Sequence, residues 1–97
     1  MIYPSVNSIT SSIAVFEWAQ RRPDCPEPAW ELSWRPRPLL TREQALAAME
    51  LTEILCTPLV GSDTVWRRVQ IVAAELDIDV EAACDTLRRR RQERGDV

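Results

Sequence analysis

Five of the seven prolines in this 97-residue chain fall between residues 23 and 40: Pro23, Pro26, Pro28, Pro36 and Pro38. Each removes a backbone donor and fixes φ, so no long regular element can cross that stretch. The cluster divides one domain into an N-terminal part, 1–22, a Pro/Trp-rich connector, 23–40, and a C-terminal part, 41–97. Only two glycines, Gly61 and Gly95, are present. A β-sandwich or barrel ordinarily uses more turn glycines than that, so the composition points to helices.

Helical periodicity supports this reading. Ile9, Ile13, Phe16 and Ala19 recur near helical spacing across Ser8–Arg22, with Ser5, Asn7 or Ser8 as N-cap and Pro23 as the stop. A strand over Ile13–Trp18 is the alternative there, because Val15 and Phe16 favour it. Thr41 followed three residues later by Gln44 is a capping box. It opens a helix over 41–57 whose Ala45, Leu46, Ala48, Met49, Leu51, Ile54 and Leu55 cover more than one face, as in a helix central to its domain. Pro58 and Gly61 end it. A third helix starts from Ser62 or Asp63 and buries Val65, Val69, Val72, Ala73 and Leu76. Asp77-Ile78-Asp79 is a turn, and a fourth helix from Val80 to about Glu93 buries Val80, Ala83, Cys84 and Leu87, with Gly95 to close it. The expected fold is therefore all-α: a compact four-helix domain with a proline-rich connector after helix 1.

Ala73, Leu76, Asp77, Ile78, Ala83 and Leu87 resemble the bacterial helix-turn-helix pattern over about 20 residues. The resemblance implies a sharp angle between two helices, with Ile78 plugging it. Asp77 stands where that family prefers glycine for a left-handed turn. In DNA-binding members the start of the second helix enters the major groove. The exposed positions there are Asp79, Glu81, Ala82, Asp85 and Thr86, and three of these five are acids facing a polyanion. The candidate phosphate contacts, Arg88, Arg89, Arg90 and Arg91, lie at the far end, where cations also complement the helix dipole. The net charge of −3 does not favour nucleic acid. More loosely, the chain resembles the small orphan helical proteins of actinobacteria and their phages, a likeness that implies no particular activity. All twelve basic residues are arginine, as a GC-rich genome encodes.

Catalytic chemistry finds few instruments here. Without histidine or lysine the commonest general base, the Schiff-base amine and the P-loop lysine are missing. Glu50 and Glu53 share a helix face, but a di-iron site also needs Glu-x-x-His motifs. Cys25, Cys56 and Cys84 have no CxxC spacing, so neither a zinc site nor any other cofactor is expected. Cys56 and Cys84 read as small buried hydrophobes. No targeting segment and no membrane span is seen, and three cysteines suit a reducing cytoplasm.

The expected function is that of a small non-enzymatic regulatory protein acting through protein–protein interaction. Trp30, Trp34, Arg35 and Arg37 of the connector are its candidate partner-binding residues, because Trp and Arg dominate interface hot spots. The competing reading of the same connector is a flap whose two indoles cover the core. A helix-turn-helix DNA-binding regulator and a homo-oligomeric structural protein are the alternatives for function.

Overall fold

The computed structural model describes residues 1–25, 29–57 and 63–95. It holds a five-stranded antiparallel sheet in the simple order β1-β2-β3-β4-β5: Ile2–Pro4, Ser8–Ser11, Trp18–Arg21, Trp30–Leu32 and Arg35–Leu40. Three helices follow: α1, Arg42–Cys56; α2, Asp63–Glu75; and α3, Val80–Gly95. The fold is therefore mixed α/β, and the expectation of an all-α four-helix domain is overturned.

The expected first helix is a hairpin, and side-chain chemistry explains why. Ser11 Oγ accepts the amides of Ile13 and Ala14 at 3.1 and 3.0 Å, a local turn that competes with helical bonding. The β-branched Val6, Ile9, Thr10, Ile13 and Val15 further disfavour helix over strand. Ile9 and Ala19, which mimic a helical stripe, instead face each other across β2 and β3 and are wholly buried. Ile13 and Phe16, the intervening members of that stripe, are exposed loop residues. The sheet turns without glycine because serine hydroxyls do part of the work. At the β1–β2 turn, Ser5 N donates to Ser8 O at 2.7 Å and Ser8 N to Ser5 Oγ at 3.2 Å, a hydroxyl-to-backbone closure typical of serine.

The connector folds as the β4–β5 hairpin. Pro36 and Pro38 are tolerated because β5 is an edge strand, where missing donors face outward, and its pairing with β4 is interrupted by a register shift between Trp30 and Leu32. Pro26, Pro28, the stop at Pro58 and Gly61, and the Ser62 cap lie outside the described residues.

Helix α1 is the centre of the molecule. Its capping box is formed in both directions, Gln44 N to Thr41 Oγ1 at 3.1 Å and Thr41 N to Gln44 Oε1 at 2.9 Å. It touches all five strands and both other helices. Ala45, Ala48, Met49 and Leu51 are buried along it, packed with Ile9, Ala19, Trp30 and Leu32 from the sheet and Val69, Ala73, Ala83 and Leu87 from α2 and α3. Among the described residues no helix is long and apolar enough to cross a membrane.

Candidate functional site

The two connector tryptophans are interior. Trp30 is 1% exposed and Trp34 8%. The Trp34 indole N–H donates to Thr52 Oγ1 at 2.9 Å, and that hydroxyl donates to Ala48 O at 2.6 Å, so the indole N–H and the buried hydroxyl are both satisfied. A partner has no open indole to grip at either position. Arg35 is also occupied: its guanidinium donates to Leu76 O and Asp77 O at 3.3 and 2.9 Å, covering carbonyls that the end of α2 leaves without helical partners. Of the four candidate partner-binding residues, only Arg37 is exposed.

The α2–α3 turn has the geometry its sequence implies. Asp77 is left-handed, φ 55°. Ile78 N donates to Ala73 O at 2.8 Å and Asp77 N to Ala74 O at 3.2 Å, the paired bonds of a Schellman end. Asp79 caps α3 by accepting Glu81 N at 3.0 Å. The arginines beyond do not form one free basic face. Arg88 pairs with Asp85 at 2.9 Å, Arg91 donates to Cys56 O at 3.2 Å, and Arg90 turns inward to Glu17. Arg89 is exposed on the same helix. The groove between α2 and α3 is lined by Trp66, Gln70, Glu81, Cys84, Asp85 and Arg88, two acids against one base.

Open apolar surface collects elsewhere. Met1, Tyr3, Val6, Ile13, Val15, Phe16 and Trp18 are exposed, with Trp66 and Ile71 on α2 as the other large ones among the described residues. Pairing register puts Tyr3, Thr10 and Trp18 side by side across β1, β2 and β3. Their neighbours Ile9 and Ala19 point to the core, so alternation turns this row to the outer face. Tyr3 is 53% exposed and Trp18 36%, with the small Thr10 between them. Ser8 and Gln20 form the next row on that face, and a shallow depression runs between the rows.

The β2–β3 loop, residues 12–17, extends this surface and is pinned from two sides. On one side Ser11 Oγ, besides holding the amides of Ile13 and Ala14, donates to Glu53 Oε2 of α1 at 2.7 Å, and the Met1 ammonium meets the same oxygen at 2.7 Å. Burial alone would push the Glu53 carboxyl up, but the ammonium and the hydroxyl outweigh it, and the group is held below its ordinary value. On the other side Glu17, 4% exposed, accepts Ser33 Oγ–H at 2.7 Å and Arg90 Nε–H at 2.9 and 3.1 Å. Ser33 Oγ in turn accepts Trp18 N at 2.9 Å. A buried carboxylate is costly unless paired and hydrogen-bonded; here it ties loop, hairpin and α3 together beneath Phe16 and Trp18.

This surface has a sequence signature that tryptophan counting passes over. Residues 1–16 contain no Asp, Glu, Lys or Arg, although the whole chain is 28% charged. Loss of charge with aromatic enrichment marks the centre of protein interfaces. Cys25, Cys56 and Cys84 are free and half-buried, and burial raises the Cys56 and Cys84 thiols above their ordinary value. Among the described residues no group of three or more His, Cys, Asp or Glu could hold a metal ion. No family model, curated protein or solved structure matches this chain.

Proposed function

We propose that this is a non-enzymatic regulatory protein that works in the cytoplasm through protein–protein contact, and that its recognition surface is the outer face of β1–β3 with the loop at residues 12–17. The observation that carries the reading is the row Tyr3–Thr10–Trp18, open, uncharged and set across three paired strands beside a loop that buried polar contacts hold in place. A pre-ordered surface binds with less loss of conformational freedom than a mobile one. Exposed apolar surface of this kind, rimmed by polar Ser8 and Gln20, is a hallmark of interaction sites. Three free thiols suit a reducing compartment.

DNA binding through α3 is the second reading, favoured by the left-handed turn at Asp77. Asp79, Glu81 and Asp85 on the exposed start of α3 oppose it, because phosphate neutralisation supplies much of the affinity for DNA, and Arg88 and Arg90 already answer carboxylates.

A photo-crosslinking residue placed at Thr10, and separately at Arg89, tests the assignment in living cells. The expected result is a protein adduct from position 10 and none from position 89. A nucleic-acid adduct from position 89 with no adduct from position 10 overturns it.

A further inference from the structure

We infer that the partner of the outer sheet face is a second copy of this chain, packed face to face about a two-fold axis that runs along β2 over Thr10. The inference rests on the reading of that face as the recognition surface and adds its occupant.

Four observations converge on a copy. The first is area. A whole aromatic side chain presents about 150–250 Å². The open parts of Tyr3, Phe16 and Trp18 therefore amount to roughly 200–340 Å², and the exposed Met1, Ile13 and Val15 of the adjoining N-terminus and β2–β3 loop add to it. Adding Ser8, Thr10 and Gln20 brings the patch toward the ~800 Å² that each partner contributes to a standard interface.

The second is charge. Each copy carries −3, so two copies repel least where side chains carry no charge; residues 1–16 have no charged side chain, and the Met1 ammonium there is matched by Glu53. The third is self-complementarity. An isologous interface sets one patch against itself. Ser8 and Thr10, on the axis strand, each donate and accept, so each is answered by its own copy, and the amide of Gln20 both donates and accepts toward the partner subunit's β1. With the axis along β2, Tyr3 of one copy lies against the partner subunit's Trp18, Thr10 against the partner subunit's Thr10, and Trp18 against the partner subunit's Tyr3. Two large-on-large contacts then flank one small-on-small contact, and aromatic pairs of this kind contribute beyond their area.

The fourth is the state of the sheet edges. β1 is only three residues long and ends at Pro4, and Pro36 and Pro38 interrupt β5. Strand-to-strand extension is blocked on both sides, which leaves the face.

Sedimentation equilibrium of the full chain, with Thr10→Arg and Thr10→Glu variants, tests the inference. Native protein should move from one to two chain masses, 11.1 kDa each, as its concentration rises through the micromolar range. Each variant alone sets like charges together at the axis and should dimerise at least tenfold more weakly, with unchanged circular dichroism. An equal mixture of the two should recover the two-chain mass, since arginine then meets glutamate. Native protein that remains monomeric, or a Thr10→Arg variant that dimerises as well as native, overturns the inference. A monomer whose position-10 crosslink carries a different protein removes the copy but keeps the recognition surface. A monomer with no position-10 adduct removes both.

Discussion

Glu17 shows how a single side chain sets the character of its neighbours. Its carboxylate is nearly sealed from solvent, and it is answered by Ser33 and Arg90, residues 16 and 73 positions away. Because a buried pair gives little net stability against an apolar alternative, its contribution here is geometric: it fixes where Phe16 ends and Trp18 begins. Glu53 does the same at the other end of the loop, and its lowered pKa makes a pH prediction. The folded state holds its proton less tightly than the unfolded chain, whose glutamates titrate near ~4.3. The stabilisation is therefore fully present at neutral pH and is lost as the pH falls through the folded value. The thermal midpoint should drop in acid, and Glu53→Gln should flatten part of that drop. An acid profile identical in Glu53→Gln and native protein would show that the Met1–Ser11–Glu53 contact contributes nothing.

At the scale of elements, the helices of the C-terminal part were legible and the strands were not. Thr41 and Gln44 announce α1 because a capping box is local chemistry. Ala73, Leu76, Ile78, Ala83 and Leu87 announce the α2–α3 angle because helical spacing keeps partners within a few residues. Strand partners are not local. Ile9 and Ala19 meet only after a loop reverses the chain, and their ten-residue separation passes for helical periodicity. Trp30 and Trp34 were ambiguous between lid and ligand, because the hydroxyl that satisfies the Trp34 indole, Thr52, stands 18 residues away. The outer face was legible in principle through its missing charges, but which residues share it depends on register. Asp77 offers a direct check on the local part. A left-handed conformation costs a residue with a β-carbon about 1–2 kcal/mol, and glycine's larger freedom when unfolded returns part of the gain. Asp77→Gly should stabilise by about 0.5–1 kcal/mol and Asp77→Val should destabilise by about 1–2 kcal/mol, read from urea midpoints. A Val variant as stable as native would contradict the left-handed turn.

The whole molecule is a sheet lying on α1, with α2 and α3 packed on α1 and joined to the hairpin by Arg35 and to the loop by Arg90. That arrangement buries the centre of one sheet face, at Ile9, Ala19, Trp30, Leu32 and Leu40, and leaves the other open over β1–β3. It also sorts the four tryptophans: Trp30 and Trp34 inside, Trp18 on the open sheet face, Trp66 on α2. Each has an indole N–H that nuclear magnetic resonance resolves separately, so one concentration series on isotope-labelled protein reads burial and recognition together. Hydrogen exchange should be slow at Trp30 and Trp34 and fast at Trp18 and Trp66 in dilute solution, with a concentration-dependent shift at Trp18 that leaves Trp66 unmoved. A shift at Trp66 with Trp18 unchanged, or rapid exchange at Trp30 and Trp34, would contradict that arrangement.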